Sequence, residues 1–592
     1  MKKIICTTLL VETSPQGIPL GAACIASAIK NSRLTKEKYD VELVDFSLES
    51  PEIVLAKQNG GERAVSSFIA QKIAGEKADF ACFSVYVWNR NILTQAALEL
   101  KRLLPECICI AGGPEVTAAP TSFGNVFDFT TAGQGELATV QLLSEIEKGI
   151  ERKEIPNDIS GIYIPENSVE NSDSGLENCK ENFFSDEKKS FSADGSSESE
   201  KIRRAVPCSV ESCPSPYLDG TIDPSKYGGA LWELARGCPF KCSYCYESKG
   251  EKKIAYFPME RLEKEIELFA RKNIPQVFVL DPTYNASKER AIKMLRLIEK
   301  KTPGTFYYFE ARAEFIDREL ARAFSRVNCA LQIGLQSANP AVLKNVHRTL
   351  DKNLFVRNIG FLNEEVVTFG FDLIYGLPGD DFEGFCESVD FALSLYPNNL
   401  ELFCLSVLPG TDLHDAASGF GLEWEKNPPY HVLKTPKFSQ KDLERCGKLS
   451  SAVNLFYNDG RAVPWLNSVL YPLKEKPSRF FRDFAKWLGN LPENHKKDVE
   501  KLQLEFVRKK FHESHLEKFY PAAEDLIKMH GALGRCTFDG SESSFTTNYH
   551  PDDVMSEYGT DLIFFTENAS RQKCRVKVFQ SGNGPDWKVL DC

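Results

Sequence analysis

Twice along the chain, short apolar runs of strand length alternate with longer segments of helical spacing, and nothing else in the sequence restricts the fold as strongly. In residues 1–155 the strand-like runs are Lys2–Thr8, Val41–Phe46, Asp79–Val85, Ile108–Ala111 and Phe127–Thr131. Helical spacing falls between them at Leu20–Lys30, about Ile53–Ile73, Asn91–Leu104 and Leu137 to about Lys148. Strands separated by helices pair in parallel, because the crossover returns the chain to the same end of the sheet. The expectation is a doubly wound parallel sheet, whose ligands bind beyond the carboxyl ends of the strands.

The second βα series occupies 226–415, with strands at Leu231–Ala235, Val277–Leu280, Phe306–Phe309, Leu331–Gly334, Thr368–Ile374 and Leu402–Val407. Helices such as Met259–Arg271 and Lys288–Lys300 lie between them. The linker, 156–225, contains a run at about 166–205 dominated by Glu, Ser, Asn, Asp and Lys. Such a run cannot bury enough apolar surface to offset chain entropy, so it reads as a disordered acidic insertion. Residues 416–592 read as a helical or mixed region, with helices at Phe438–Leu455, Ser478–Leu488 and Glu500–Phe511. Its tail holds two strand-like runs, Leu562–Thr566 and Arg575–Phe579.

A chain of 592 residues exceeds what one core holds, so several domains are expected. The formal net charge of −11 argues against a nucleic-acid partner. The opening Met1–Leu10 starts like a signal segment but breaks at Glu12–Pro15, and a first strand fits it better. No apolar run is long enough to span a membrane. Eighteen cysteines without a signal segment read as thiols of a reduced, cytoplasmic protein, not as a disulfide framework. Cys446, Cys536, Cys574 and Cys592 stand isolated in the sequence.

Three cysteines do form a pattern. Cys238, Cys242 and Cys245 are spaced C-x3-C-x2-C on the loop after the first strand of the second series. Three thiolates this close can ligate three irons of a cubane cluster and leave the fourth iron open. A closed zinc site needs four ligands. No histidine occurs before His347, so a fourth would have to be a distant cysteine or carboxylate.

The spacing resembles that of the radical S-adenosylmethionine (SAM) superfamily. Further segments of the same series support the resemblance. Asp281-Pro282-Thr283-Tyr284-Asn285 follows the second strand, Phe309-Glu310-Ala311-Arg312 the third and Gly334-Leu335-Gln336-Ser337 the fourth. Asp372-Leu373-Ile374-Tyr375-Gly376-Leu377-Pro378-Gly379 ends the fifth, and Leu408–Thr411 follows the sixth. The resemblance implies a partial TIM barrel of six βα units with its chemistry at the strand carboxyl ends. It implies a [4Fe-4S] cluster on Cys238, Cys242 and Cys245, with SAM on the open iron and Tyr244 beside the adenine. Asp281 would accept from the SAM amine, or else form an Asx-turn or helix cap. Glu310 would take the ribose hydroxyls, with Arg312 as its ion-pair alternative, and Gln336 would offer a donor and an acceptor. Asp372, Gly376 and Leu377 would line the adenosine.

The amino-terminal segments look like the flavodoxin-like cobalamin-binding domain that precedes many such barrels. The matching residues are Leu20 and Gly21, Ser84, then Gly112, Gly113, Pro114 and Glu115, and finally Gly133, Gly135 and Glu136. Tyr86 and Trp88 would add apolar walls. Each glycine has an ordinary βα turn as its alternative reading. The usual Asp-x-His-x-x-Gly motif is absent, so this domain supplies no histidine beneath the cobalt. The runs Asn427–Leu433 and Phe456–Arg461 resemble an uncharacterised subgroup of the cobalamin-type proteins. There Tyr430 and His431 would either face the site or pack.

Together these resemblances imply a cobalamin-dependent radical SAM methyltransferase acting on an unactivated carbon of a small molecule or peptide. An electron donor such as flavodoxin or ferredoxin would serve it. Cobalamin-dependent oxidation, cyclisation or rearrangement is the alternative. tRNA methylthiolation would need three more cluster cysteines in the first domain, and Cys6 and Cys82 lie within strands there. A non-catalytic cobalamin or SAM sensor would not need the full set of barrel segments.

Overall fold

The computed structural model describes residues 1–150, 154–155, 159–165, 202–247, 253–492, 496–582 and 584–592. Nearly all of the acidic insertion expected at about 166–205 lies outside the described residues. Two compact units divide the chain: 1–237 with 253–278 and 409–411, and 238–252 with 279–408 and 412–592.

In the first unit, β1 (Lys2–Leu10) is a nine-residue strand buried almost throughout. Burial on both faces is why it reads as a continuous apolar run. Ile4 and Cys6 turn to one face, packing with Ala22, Ala26, Ile29, Ala138 and Leu142. Those residues belong to the helices Leu20–Asn31 and Gly135–Glu147. Ile5 and Leu9 turn to the other face, toward Ile53, Val65, Ile69, Leu93 and Ala97. Their helices are Pro51–Gly75, interrupted at Gly60–Gly61, and Arg90–Leu103. The period of two along β1 thus feeds two helical layers. With β2 (Tyr39–Ser47), β3 (Phe80–Ser84), β4 (Ile108–Gly112), β5 (Phe129–Thr131) and β6 (Ile162–Tyr163), the sheet order is β2-β1-β3-β4-β5-β6. The first five strands are parallel and β6 is antiparallel to β5. The winding direction reverses between β1 and β3, which places the ligand crevice of such a sheet at their carboxyl ends.

A second six-stranded sheet runs β14-β13-β12-β11-β10-β7. Its strands are β7 (Ala230–Trp232), β10 (Gln276–Val279), β11 (Phe306–Ala311), β12 (Cys329–Gln336), β13 (Thr368–Tyr375) and β14 (Asn399–Cys404). Two two-residue strands, β8 (Ala235–Arg236) and β9 (Ala255–Tyr256), pair separately. The pairs from β11 to β14 are parallel, with helices between successive strands, as a partial barrel requires. The last strand begins three residues before the Leu402 expected from sequence. Leu405–Val407 is apolar for a different reason, since it joins Tyr430–Val432. Val407 N donates to Tyr430 O at 2.9 Å and Val432 N to Leu405 O at 2.9 Å.

The remaining region is mostly helical. Its helices include Gln440–Val453, Pro477–Leu488, Val499–Glu513 and Tyr520–Asp539. Phe456 anchors their core, with Trp465, Phe480, Phe481, Phe484 and Phe506 at centroid distances of 4.8–6.3 Å. After the two-stranded pair β15 (Glu423–Trp424) and β16 (Val432–Lys434), an antiparallel sheet of β17 (Ser543–Thr547), β18 (Cys574–Ser581) and β19 (Gly584–Asp591) packs on the last long helix. Two expectations fail here. Leu562–Thr566 is no strand: it lies in the helix Leu562–Asn568, started by Asp561, whose carboxylate accepts from the Ile563 and Phe564 amides. Cys574 and Cys592 are not isolated, for β18 and β19 bring them together as a disulfide.

Candidate cluster and cofactor sites

Each unit carries its candidate residues at strand carboxyl ends. In the second unit the cysteine loop is fixed by its backbone. Ser243 N donates to Val346 O at 3.1 Å, Leu413 N donates to Ser243 O at 2.8 Å, and Cys245 N donates to Cys242 O at 3.1 Å. None of the three cysteines is in a disulfide; Cys242 is buried and the other two are half-buried. Burial raises the Cys238 thiol pKa, opposed by the Phe240 amide and the Thr283 hydroxyl. Arg312 covers the loop: its guanidinium carbon stands 3.8 Å from the Phe240 ring centre, and Nη2 pairs with Glu314 Oε1 at 2.7 Å. Asn285 ties the loop after β10 to the end of β11 twice, donating to Arg312 O at 2.9 Å and accepting from Arg312 N at 3.0 Å. Asp281 is buried on the same loop.

Beside the cysteines, Arg348 Nη1 donates to Tyr244 Oη at 3.2 Å and Nη2 to Gly334 O at 2.6 Å. Burial pushes the Tyr244 hydroxyl up to about 12, so it stays protonated. The register of β12 shifts between Gly334 and Gln336, and Gln336 takes a φ of 67°. Its side chain folds back over Gly334, where an added Cβ would stand 2.5 Å from Gln336 Nε2. Gln336 Oε1 and Arg348 Nε are both buried without a hydrogen-bond partner among the described residues. Leaving such groups unpaired costs about 1–3 kcal/mol each, so each calls for a partner, whether water or a ligand.

Two carboxyls stand on neighbouring strands. Glu310 is exposed along β11. Lost hydration, then the charges of Asp372 and Glu247, push its pKa up to about 7. Lost hydration likewise brings Asp372 to about 6, although Gln332 Nε2 donates to it at 2.5 Å. A Cβ on Gly376 would meet Val432 Cγ1 at 2.6 Å, and Leu377 is fully buried. Tyr430 is buried, which favours its packing reading, while the His431 side chain is exposed.

Sequence reasoning missed Gln332, Arg348 and Asn285 as site residues. The signal for Gln332 was present, because Gln332, Gly334 and Gln336 recur at the strand period on one face of an otherwise apolar segment. Asn285 closes the Asp281–Asn285 segment already singled out, whereas Arg348 carries no such signal, since only the fold brings it near its partners.

In the first unit the predicted residues do converge on the carboxyl edge of the sheet. A Cβ on Gly21 would stand 2.7 Å from Tyr86 Oη and 3.3 Å from Ser84 Oγ, so the loops after β1 and β3 meet there. Leu20 opens the adjoining helix and is half-buried. Tyr86 and Trp88 stack at 4.6 Å with 9° between their planes, and Trp88 Nε1 donates to Leu9 O at 3.0 Å. Asn89 locks this corner, its Nδ2 donating to Leu9 O at 3.0 Å while Oδ1 accepts from Tyr86 N at 2.8 Å. After β4, Gly113 has a φ of 104°, and a Cβ there would meet Val85 O at 2.5 Å. Gly112 differs, for its added Cβ would find nothing nearer than Thr131 at 3.9 Å. Pro114 begins a short helix. Gly133 backs onto Arg204 and Ala205, and Gly135 onto Ile25. The two acids of this edge are already engaged. Glu115 pairs with Arg90 at 2.9 Å and Glu136 with Arg236 at 2.8 Å.

Comparison with known proteins bears on both sites. Residues 232–392 match the radical SAM superfamily, and residues 418–529 match a family described as a protein of unknown function (DUF4080). The cobalamin-dependent radical SAM methyltransferase TokK of Streptomyces tokunonensis is 25% identical over 388 residues, 61% of this chain and 50% of that protein. A 2-(S-pantetheinyl)-carbapenam-3-carboxylate methyltransferase of Streptantibioticus cattleyicolor is 24% identical over 58% of this chain and 49% of its own length. The chain therefore spans about half the length of the curated relatives it matches. Among solved structures, the cobalamin-dependent SAM radical enzyme OxsB with aqua-cobalamin bound superposes with a TM-score of 0.56 at 13% identity. That match covers 96% of this chain and 85% of OxsB, and it shares the fold.

Proposed function

We propose that this chain, whose residues 232–392 form a radical SAM domain, is a cobalamin-dependent radical SAM enzyme that methylates an unactivated carbon. The observation that carries the reading is the cysteine loop itself. Three thiols outside any disulfide lie near a buried amide oxygen and a buried guanidinium nitrogen that have no hydrogen-bond partner among the described residues. We assign residues 1–155 to the corrin, 226–415 to the barrel and 416–592 to a carboxyl-terminal domain, joined by the linker 156–225.

The donor set fits a cluster. Cys238, Cys242 and Cys245 would hold three irons and leave a fourth for the amino and carboxylate groups of SAM. Gln336 Oε1 accepts and Arg348 Nε donates, so the pair can hold an ammonium and a carboxylate. Tyr244, held by Arg348, gives an aromatic edge to an adenine. Glu310, once ionised, accepts both hydroxyls of a ribose, and Asp372 lies close enough to raise its pKa. Asn285 and Arg312 position the cysteine loop, and Asp281 supplies a buried acceptor for the SAM amine.

The first unit fits a corrin at its carboxyl edge. Gly112 leaves room that a side chain would fill, and Thr131 Oγ1 is buried there without a partner among the described residues. Leu20, Gly21 and Ser84 let a flat ligand approach the backbone, with Tyr86 and Trp88 as a stacked wall. Gly113, Gly133 and Gly135 shape the loops, and Glu115 and Glu136 act as positioning residues through their arginines. Residues 1–346 contain no histidine, so this edge offers the cobalt no imidazole. When bound, the cluster supplies an electron for cleaving the sulfonium of SAM, and the corrin supplies a transferable methyl group.

We infer a cytoplasmic protein that takes electrons from a flavodoxin or ferredoxin and acts on a small molecule or peptide. Among the described residues no helix is long and apolar enough to cross a membrane. Anaerobic reconstitution with iron, sulfide and hydroxocobalamin tests the assignment. The protein should retain cobalamin, and its reduced EPR signal should shift on adding SAM. It should release 5′-deoxyadenosine under reduction, and Cys242→Ala should abolish that release. Label from methyl-labelled SAM should reach the retained cobalamin. A protein that cleaves SAM but neither retains cobalamin nor takes up the label would overturn the methyltransferase reading.

A further inference from the structure

His550, Cys574 and Cys592 come from three separate places in the chain, and one ligand atom of each lies within 4.8 Å of the other two. Cys574 opens β18 opposite Thr547 and is fully buried. Cys592 follows β19 and is exposed. Between them runs the one disulfide among the described residues. His550 caps the short helix Pro551–Val554, its Nδ1 accepting from Asp552 N at 3.3 Å. Asp552 Oδ2 stands 3.7 Å from that nitrogen, and its Oδ1 accepts from Trp587 Nε1 at 3.1 Å. The carboxylate is thereby held against the imidazole.

We propose that this cluster is a redox-gated zinc site, in which the reduced pair Cys574 and Cys592, together with His550, binds one Zn2+. Two thiolates and an imidazole are the donor set that borderline-soft zinc selects. The Asp552 carboxylate, with Oδ2 3.7 Å from His550 Nδ1, adds a negative charge beside the cation. The fourth position goes to water. Exposure of Cys592 gives a reductant access to the bond. A dithiol transfers two electrons and two protons to the disulfide, closes to its own disulfide and leaves two thiols. Zn2+ then displaces both thiol protons. The exchange replaces one covalent link between positions 574 and 592 with a three-point link that also takes in the helix start at 550.

Zinc counting on the full-length chain tests this. The protein is freed of metal with a chelator and reduced anaerobically with a phosphine, which becomes phosphine oxide with oxygen from water. It is then loaded with Zn2+ and desalted. Zinc bound at Cys238, Cys242 and Cys245 is common to every reduced sample and drops out of the comparison. The reduced wild type should hold one equivalent more than Cys592→Ser and one more than His550→Gln. Cobalt loading should give a thiolate charge-transfer band that Cys592→Ser loses. Cys592 is exposed and Gln retains a capping side chain at 550, so both variants should keep the wild-type circular dichroism. Equal zinc in the wild type and both variants overturns the proposal. So does a disulfide that survives the phosphine, because the thiolates would never be offered.

Discussion

Gly112 and Gly113 are neighbours in sequence, yet substituting each should do opposite things. At Gly113 an alanine meets two obstacles. Its φ of 104° with ψ of 178° lies in a region that essentially only glycine occupies, at about 1–3 kcal/mol for other residues. Its Cβ would also stand 2.5 Å from Val85 O, with no flexible side chain to yield. Relief requires moving Val85, whose amide donates to Gly112 O at 2.8 Å, and losing that bond adds about 1 kcal/mol. Gly113→Ala should therefore destabilise the β3–β4 edge by about 3 kcal/mol. Gly112→Ala finds 3.9 Å of clearance, so its stability should stay within about 0.5–1 kcal/mol of wild type. Because a chain with two compact units need not unfold in one step, the assay is amide hydrogen exchange across Phe80–Val85 and Ile108–Gly112. Gly113→Ala should speed the slowest amides there about 100-fold, the equivalent of that 3 kcal/mol. Gly112→Ala should leave exchange unchanged and weaken hydroxocobalamin retention, since its methyl fills the space assigned to the corrin. Wild-type exchange in Gly113→Ala, or faster exchange in Gly112→Ala, would refute the reasoning, because the two glycines would then not differ in the way the backbone requires.

Other perturbations read out the remaining contacts. Arg236→Met leaves Glu136, only 5% exposed, without its cation, and should cost about 3–5 kcal/mol in denaturant unfolding. Glu310 and Asp372 have folded pKa values above their ordinary ones, so the folded chain binds more protons than the unfolded chain between pH 3.8 and about 7. Stability of the cofactor-free protein should therefore fall as pH rises through that window. Glu310→Gln should flatten the slope by about 1 kcal/mol, discounted for solvent in the barrel mouth, and an unchanged melting profile from pH 5 to 8 would contradict this. Gln336→Leu removes an acceptor that the described protein does not use, so SAM affinity should drop about 10-fold with little change in melting. Thr131→Val likewise deletes a buried hydroxyl oxygen with no partner among the described residues, and should cost about 5-fold in cobalamin affinity while leaving stability intact. A destabilised Thr131→Val would mean that the hydroxyl serves the fold instead.

What the sequence made legible was whatever repeats with a short period or sits at a fixed offset from something that does. The strand runs of the first domain and the cysteine loop both belong to that class. So do the polar segments that close each barrel strand. The sixth barrel strand was displaced because Leu402–Val407 is one apolar run serving two partners, β13 as far as Cys404 and Tyr430–Val432 beyond it. No local pattern marks where one partner ends. Leu562–Thr566 reads as a strand because a run of five residues, four of them apolar, is too short to distinguish a period of two from 3.6. The Asp561 cap, a single side chain taking two amides, decides it. The disulfide at 574 and 592 depends on the antiparallel pairing of β18 with β19, which brings together the open ends of a hairpin 18 residues apart in sequence. Arg348 was invisible for a similar reason, for its partners lie 104 and 14 residues away.

The edge of the first domain carries a further consequence of such distant pairing. Read along the sequence, Glu115 and Glu136 look like charged groups presented to a ligand. In the fold each is nearly buried and paired with an arginine, Arg90 in one case and Arg236 in the other. Arg236 is held a second time by Glu233 and a third time by Gln134 Oε1. The charge at this edge is thus consumed in fixing loops. What remains facing the crevice is backbone, the hydroxyls of Ser84 and Thr131 and the stacked rings of Tyr86 and Trp88. Such a surface recognises a broad ligand through neutral hydrogen bonds and flat contact, which suits a corrin whose rim is lined with amides. The same residues that disappoint as direct contacts therefore act on the ligand at one remove, by fixing through Arg90 and Arg236 the loops whose backbone and hydroxyls line the edge.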